Sequence, residues 1–293
     1  MNYIKSRKIF FIFSVTLILI SFIMMGINHA NGDGILNFGI EFSGGSVIHL
    51  NIGQAFNIED DIRPIVEQYL EDSSAVIQLV PDTYEVIITT KTVDNTIRTN
   101  FVGQIKEYFN VDENIILAED SVSPTISSET QLSAIYAVVL GSVLMLIYIW
   151  IRFSDIKFGA SAVVALIHDV FIMLFVYAVF RVPINNSFIA AILTIIGYSI
   201  NDTIIVFDRI RENKKMIFGD DETIINTSIN QTLTRSISTS ITTLIMVSLL
   251  YALGTSSVKE FAFPLVIGVI SGTYSSIFIA SPVWYQMRKI KLT

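Results

Sequence analysis

The residues most capable of chemistry lie inside apolar stretches, where charged side chains are rare. Asp202 stands within the run Ile195–Ile204, six residues before Asp208, too deep in that run for its short side chain to reach water. A low dielectric favours the protonated form of a carboxyl group, and a nearby cation favours the charged form. A moving cation could therefore load and unload a proton at Asp202. The competing interpretation is a structural hydrogen bond between helices.

A second charged residue, Arg235, begins a polar stripe that continues with Thr239 and Thr242 at helical spacing. Such a stripe favours contact with another helix or with a hydrated path. We predict that Arg235 is the partner of Asp202, on a helix that contacts its own. The alternative is an interfacial arginine that reaches lipid headgroups.

The pair His168-Asp169 lies in the middle of another apolar run. An unperturbed histidine titrates near neutrality, so the pair is a candidate proton relay, with a buried structural pair as the alternative. Residues predicted to form a relay or to surround the two sites are His168, Asp169, Asn201, Ser199, Thr239 and Thr242.

Small residues four positions apart are predicted to be helix contacts rather than sites. The pairs are Gly268 with Gly272, Ser271 with Ser275, and Ala137 with Gly141. The chain has no cysteine and three scattered histidines, so we predict no metal centre.

Six apolar runs approach or exceed the length needed to cross about 30 Å of hydrocarbon. They are Ile9–Ile27, Leu132–Ile151, Phe158–Phe180, Ile184–Phe207, Ser236–Leu253 and Phe261–Tyr285. The first is longer than the apolar region of a signal peptide, so we predict an uncleaved anchor. The composition agrees, because 15% of the residues are charged against about 25% in soluble proteins.

Lysine and arginine concentrate in alternate linkers between these runs. They precede the first run, follow the second and the fourth, and end the chain at Arg288, Lys289 and Lys291. The positive-inside rule then places both termini in the cytoplasm.

The cytoplasmic end of the fourth run carries Asp208, Arg209 and Arg211. Positive-inside anchoring explains the cations, and a cytoplasmic gate or partner contact is the alternative. The following segment, Asp220–Thr232, is predicted to be a short amphipathic surface helix.

Residues 29–131 are strongly acidic, whereas the rest of the chain is net positive. We therefore predict an inserted water-soluble domain on the exterior side. Its first predicted elements are two strands, Asn37–Phe42 and Ser46–Ile52, or one strand kinked at Ser43-Gly44-Gly45. A helix at Ile58–Leu70, capped by Asn57, and a hairpin of Ala75–Val80 and Tyr84–Thr90 around Pro81-Asp82-Thr83 follow. The last predicted elements are a helix at Val93–Phe109 and a strand at Ile115–Ala118. The order β-α-β-β-α-β is that of a ferredoxin-like unit. The carboxylates of this domain form no catalytic set.

The predicted fold class is a polytopic α-helical membrane protein. Residues 1–28 form the cytoplasmic N-terminus and first transmembrane helix, 29–131 the periplasmic α+β domain, and 132–293 transmembrane helices two to six.

Four stretches of the sequence resemble the SecF branch of the bacterial SecD/SecF family. They are Phe38–Gly45 (FGIEFSGG), His168–Val170 (HDV), Gly197–Asn213 (GYSINDTIIVFDRIREN) and Asn230–Leu244 (NQTLTRSISTSITTL). The first supplies the exterior-domain motif residues Gly39, Glu41, Gly44 and Gly45. Glu41 stands where the family usually has aspartate, and the charge is kept.

The resemblance implies a membrane domain of the RND-transporter type, located in the bacterial inner membrane. It implies that the chain assists preprotein export with energy from the proton gradient, and that Asp202 and Arg235 form the proton pathway. No enzymatic chemistry and no cofactor are expected beyond transported H⁺, with Na⁺ as an alternative. The implied partners are a SecD-like subunit, the SecYEG channel, YajC, YidC, the unfolded preprotein and membrane lipid, without nucleic acid.

Two other functions are compatible with the pattern. A stand-alone RND-type exporter of a small molecule or lipid would need a substrate portal, for which the exterior domain is too small. A passive scaffold would hold Sec components together without using Asp202 or Arg235.

Overall fold

The structure, a computed structural model, describes residues 2–32, 34–73, 75–80, 83–91, 93–111, 114–153 and 155–289. Its helices are α1 (Tyr3–Ala30), α2 (Ile40–Ser43), α3 (Arg63–Tyr69), α4 (Asn95–Phe109), α5 (Pro124–Arg152), α6 (Ile156–Phe180), α7 (Asn186–Met216), α8 (Asp221–Leu253), α9 (Ser256–Ser275) and α10 (Ser281–Lys289). Its strands are β1 (Gly45–Asn51), β2 (Val76–Leu79), β3 (Glu85–Thr90) and β4 (Ile116–Val122). The fold divides into two compact units, Met1–Asn37 with Ala134–Thr293 and Phe38–Ser133.

The first unit is built from long apolar helices. Six helical segments in the described part of the chain are long and apolar enough to cross a membrane. They are α1, α5, α6, α7, α8 and Val258–Lys289, in which the π-helical turn Ser276–Ala280 joins α9 to α10. Each overlaps one of the six apolar runs, so the chain is a polytopic helical membrane protein.

Helix α7 packs against α8 and α9, and the approach to α9 is very close. A Cβ atom added to Gly268 would lie 2.1 Å from Cδ1 of Ile195, and one added to Gly272 would lie 3.0 Å from Cβ of Ser199. The predicted small-residue contact at Gly268 and Gly272 is therefore confirmed. Only a residue without a side chain lets the two backbones come this near.

Helix α8 corrects one prediction. The structure has a single helix of 33 residues from Asp221 to Leu253, so the separate surface helix predicted at Asp220–Thr232 is wrong. No Gly or Pro interrupts this stretch, and the Asp220 side chain caps its start by accepting from the Thr223 N–H at 3.1 Å. The apolar side chains Ile225 and Ile229 are fully buried in the helical core.

The second unit contains one four-stranded sheet and the helices packed on it. The element order is β-α-β-β-α-β, the sheet order is β2-β3-β1-β4, and all three strand pairs are antiparallel. Alternate residues of β1 and β3 point into the core, where they meet α3 and α4. The fully buried core side chains include Ile48, Leu50, Val86, Ile88, Val66, Phe101 and Ile105.

The predicted elements of this unit are present with shifted ends. Asn57 accepts from the Glu59 N–H at 2.9 Å, as predicted for a cap, and a π-helical turn at Ile58–Ile62 precedes α3. Strand β4 continues to Val122, beyond the predicted end. In the predicted turn, Pro81 and Asp82 lie outside the described residues.

The start of the second unit differs from the prediction. Instead of a strand at Asn37–Phe42, the chain forms the short helix α2, with Gly39 before it and Gly44 after it. The Gly44 N–H donates to the Ile40 carbonyl at 2.9 Å, and Gly44 then adopts a φ of 72°. Glycine allows this left-handed conformation, so the motif ends a helical turn rather than kinking a strand.

The packing of α7 on α9 gives a stability prediction. We expect Gly268→Ala to lower the free energy of unfolding by about 1–3 kcal/mol, because its new Cβ would collide with Ile195. The matched control is Gly197→Ala on α7, where nothing lies within 4 Å of the added Cβ. Apparent melting temperatures in mild detergent measure the effect. Equal melting temperatures for the two variants would contradict the packing argument.

Candidate functional site

Asp202 lies on α7 and is buried without a hydrogen bond. Its exposed fraction is 1%, and neither carboxylate oxygen has a hydrogen-bond partner among the residues that the structure describes. Ser236 on α8 is close enough to act on the carboxylate, and its own hydroxyl also lacks a partner within that described set. The predicted contact between the two helices is present. Asp202 and Ser236 thus lie close to each other where α7 meets α8, without a hydrogen bond of good geometry within the described residues.

Arg235 precedes Ser236, but its guanidinium does not pair with Asp202. Its side chain is exposed, and no ion pair links the two residues in this structure. Arg235 nevertheless acts on the carboxylate through its charge. The ion pair predicted between the two residues is thus not formed in this arrangement. Arg235 nevertheless directly precedes Ser236, the residue of α8 that lies next to Asp202.

The other polar side chains predicted around Asp202 turn elsewhere. The Thr239 hydroxyl donates to the Arg235 carbonyl at 2.9 Å, and the Thr242 hydroxyl donates to the Thr239 carbonyl at 2.8 Å. Asn201 is exposed and lines an open groove of about 600 Å³ between α5 and α7. Thr242 and Asn201 are exposed and Thr239 is half-buried, and none of the three has a hydrogen bond to Asp202 within the described contacts.

Asp169 on α6 is the opposite of Asp202, because its carboxylate is fully hydrogen-bonded. It is 2% exposed and accepts from the hydroxyls of Ser271 at 2.6 Å, Ser199 at 2.6 Å and Ser275 at 2.7 Å. His168 Nδ1 lies 3.1 Å from the same carboxylate. Three of these four contacts, the serine hydroxyls, join α6 to α7 and α9.

The hydrogen-bonded chain continues from His168 to α1. His168 Nε2 is 3.0 Å from the Ser14 hydroxyl, which is 3.1 Å from the Tyr274 hydroxyl. Tyr274 donates to the Phe10 carbonyl at 2.9 Å, and its ring stacks on His168. The pair predicted as a relay thus lies in a continuous network of polar groups.

Sequence reasoning missed part of this network. Ser271 and Ser275 were predicted to be helix contacts only, whereas both donate to Asp169. Their spacing of four residues within an apolar helix is also the spacing of two donors on one face. Ser14 and Tyr274 carried no sequence signal, because single hydroxyls in apolar helices commonly bond to their own backbone.

The cytoplasmic-end residues predicted on α7 form ion pairs. Asp208 pairs with Arg152 from the end of α5 and, at 3.1 Å, with Arg211. Arg209 pairs with Glu212 at 2.9 Å. This group joins the ends of α5 and α7 by charge.

The exterior-domain motif is explained by backbone geometry. A Cβ atom on Gly45 would lie 2.5 Å from the Thr90 carbonyl oxygen, and Gly45 has a φ of 129°. Gly39 precedes α2 in an extended conformation, and Glu41 lies in the first turn of that helix. The glycines are needed for the backbone conformation of this segment. Glu41 has no hydrogen-bond or ion-pair partner within the described contacts.

Comparisons with known proteins agree with one another. The family model described as "Protein export membrane protein SecD/SecF, C-terminal" matches residues 102–290. The protein translocase subunit SecF of Petrotoga mobilis is 37% identical, over 98% of this chain and 96% of that protein. The SecF of Borreliella burgdorferi is 35% identical, over 99% of this chain and 98% of that protein.

Longer proteins also match over a part of their length. The SecDF subunit of Bacillus subtilis is 35% identical over 99% of this chain, which spans 39% of that protein. The crystal structure of SecDF from Thermus thermophilus, a translocon-associated membrane protein, is similar with a TM-score of 0.83 at 32% identity. This chain covers 39% of the solved chain. A second structure, SecDF in a super-membrane-facing form, gives a TM-score of 0.67 over the same share.

The Asp169 network gives a second stability prediction. We expect Asp169→Asn to lower the free energy of unfolding by about 2 kcal/mol or more, because an amide both loses the charge and places a donor against serine donors. The control is Asp155→Asn on the same helix, where the side chain caps the Lys157 N–H and asparagine caps equally well. Thermal unfolding in detergent distinguishes the two variants. An Asp169→Asn protein as stable as this control would show that the network carries no structural role.

Proposed function

The chain belongs to the SecF branch of the SecD/SecF family of protein export membrane proteins, and from this premise we propose that it couples proton movement to preprotein export through Asp202. In this role the chain is an accessory subunit of the Sec translocase. It acts as a conformational transducer that performs no covalent chemistry and needs no cofactor. H⁺ is the proposed coupling ion, and Na⁺ is the alternative.

The unpaired carboxylate of Asp202 carries this proposal. A charged group inside hydrocarbon costs about 2.5–3.5 kcal/mol even on insertion scales, and the penalty is largest when no hydrogen bond compensates it. Asp202 is buried with both oxygens unsatisfied by the described residues, so binding a proton removes its charge where that charge is least stable. A group that changes state so readily is suited to transport rather than to holding helices together.

Ser236 and Arg235 provide the response to that proton. When Asp202 is charged, a small shift of α8 brings the Ser236 hydroxyl into hydrogen-bond geometry and the Arg235 charge nearer. When Asp202 is protonated, this attraction is lost and α8 relaxes away from α7. The two states differ by one local contact, which is how a single proton biases a helix arrangement.

The use of a proton gradient requires a defined orientation of the chain in the membrane. We propose that both termini lie in the cytoplasm and that the ferredoxin-like α+β unit lies in the periplasm, because the short basic linkers all fall on the terminal side. One charge that crosses 100 mV is worth about 2.3 kcal/mol. That energy, delivered at Asp202, would move the periplasmic unit against an emerging preprotein at the inner membrane.

A polar surface on α8 supports a SecD-type partner. Arg235, Ser238 and Thr242 are exposed in the isolated chain, on a helix whose other exposed side chains include the apolar Ile241 and Ile245. Polar side chains in membrane helices usually face protein or a hydrated cavity. We propose that a SecD-type chain covers this surface, as a separate counterpart of the longer SecDF proteins. The SecYEG channel, YajC and YidC are further proposed partners.

The exporter alternative is not favoured by the comparisons. The matched relatives are named as translocase subunits, and the resemblance extends over nearly the whole length of the SecF proteins.

The test of the proton site is an export assay with Asp202→Asn. In membrane vesicles that contain the chain, a SecD-type partner and the SecYEG channel, we expect the variant to export preprotein at the same rate with and without a proton gradient. That rate should equal the rate of the unmodified protein after an uncoupler is added. Asparagine keeps the side-chain volume but cannot bind the proton.

Two further variants sharpen this assay. Asp202→Glu keeps an ionisable group and should retain part of the gradient dependence, whereas Asp155→Asn should retain all of it. Normal gradient-dependent export by Asp202→Asn would sink the proposal.

The partner surface has its own test. We expect Thr242→Trp to reduce copurification of a SecD-type subunit by at least about tenfold, because a large ring on a packed helix surface prevents close approach. Ile12→Trp is the matched control, since Ile12 is also exposed but lies on the apolar surface of α1. Quantitative mass spectrometry of detergent-purified complexes measures retention. Equal retention by both variants would place the partner on another surface.

A further inference from the structure

Two aromatic residues at one end of the helical unit are surrounded by cations. Trp284 and Tyr285 are adjacent on α10, and both are buried. Lys214 and Arg288 lie over the Trp284 ring at 5.4 Å, and Arg7 and Lys289 lie over the Tyr285 ring at 5.4 and 4.6 Å. The four cations come from α1, α7 and α10, so the cluster exists only in the folded unit. We call it the terminal basic cluster.

Most of this positive charge is not neutralised by the protein. Arg288 pairs with Asp221 at 3.1 Å. Arg7, Lys214 and Lys289 form no ion pair within the described residues, although Asp220, fully exposed at the start of α8, lies near enough to Lys289 to act on it. Cations that are brought together by folding repel one another unless an anion joins them.

Two buried hydrogen-bond donors lie in the terminal basic cluster. The Arg7 Nε–H and the Trp284 Nε1–H are both shielded from solvent and have no acceptor among the described residues. A buried donor without an acceptor costs about 1–3 kcal/mol, so natural sites rarely leave one unfilled. The terminal basic cluster thus offers both charge and hydrogen-bond donors without acceptors to match.

The position of the cluster indicates which anion. Arg7 lies two residues before the apolar run of α1, in which Ile9 and Ile12 are 69% and 66% exposed. Tyr285 ends the last apolar run. The cluster therefore lies at the level where the hydrocarbon meets the headgroups, beside an apolar surface suited to acyl chains.

We propose that the terminal basic cluster binds the phosphodiester headgroup of an anionic phospholipid, with Arg7, Lys214 and Lys289 as its ligands. The acyl chains then lie along the exposed apolar side chains of α1. Basic pockets at the ends of membrane helices recognise such headgroups, and two aromatic rings fix the cations in place. The lipid would join the first and last helices of the unit to α7.

Basic residues are attracted to an anionic leaflet in general, and this effect must be distinguished from binding at the terminal basic cluster. That attraction depends on the number of charges near the surface and not on their arrangement. Lys8 and Lys215 are exposed cations next in sequence to Arg7 and Lys214, and neither lies over a ring of the aromatic pair in the described cation–π contacts. Removing them changes the net charge by the same amount and leaves the cluster intact.

The experiment compares lipid retention by the full chain and two double variants. The protein is equilibrated in nanodiscs of phosphatidylcholine with a minor share of phosphatidylglycerol, then released, and bound lipid is counted by native mass spectrometry. We expect Arg7→Gln/Lys214→Gln to retain at least about tenfold less phosphatidylglycerol than the unmodified chain. Lys8→Gln/Lys215→Gln should retain as much as the unmodified chain. Melting temperatures without anionic lipid confirm that both variants fold.

Other outcomes overturn the proposal. Equal loss in both double variants means that only general surface charge attracts the lipid. Unchanged retention in the cluster variant means that the cluster is not the site. Displacement of the lipid by millimolar inorganic phosphate would show a site for a free anion rather than for a phospholipid.

Discussion

The cost of leaving a polar group unpaired inside a membrane-embedded helical unit governs this structure. Two aspartates experience that cost in opposite ways. Asp169 is surrounded by three serine hydroxyls and a histidine, and every one of them comes within hydrogen-bond distance. Asp202 has the same burial and no hydrogen bond within the described contacts. One carboxylate is fully hydrogen-bonded, and the other has no hydrogen-bond partner within the described residues.

Both sites involve α7. The Asp169 network therefore holds this helix in place when the contact between Asp202 and α8 changes. Ser199 belongs to the Asp169 network, and Asp202 follows it by less than one helical turn. The network holds this part of α7 against α6 and α9, and the glycines of α9 allow the backbones to lie close. The side of α7 that meets α8 carries the unformed contact between Asp202 and Ser236. In this account α8 moves against a helix that is fixed on its other side.

Sequence reasoning succeeded where a residue pattern is compatible with only one kind of structure. Apolar length predicted the membrane spans, because backbone groups in hydrocarbon must be satisfied within the helix. Alternating apolar residues predicted β1 and β3, and turn signals predicted the hairpin order. Sequence reasoning failed at Asn37–Phe42, because Gly39 and Gly44 around α2 allow either a strand or a helical turn. It also failed at Asp220–Thr232, where burial by neighbouring helices extends α8. His168 and Ser199 were predicted near these sites, but Ser271 and Ser275 were not identified as partners of Asp169, because the relative rotation of α6 and α9 is set only by packing.

The central claim is that Asp202 itself gains and loses a proton while the chain is folded in a membrane. Infrared difference spectroscopy of the chain in lipid, with isotope-labelled aspartate, reports the carbonyl band of a protonated carboxyl group directly. Other aspartates of the chain also protonate as the pH is lowered, so the test is the difference between spectra. We expect one component of the titrating aspartic acid band to be missing from Asp202→Asn and to remain in Asp155→Asn. Identical titrating bands in the unmodified chain and in Asp202→Asn would contradict the claim.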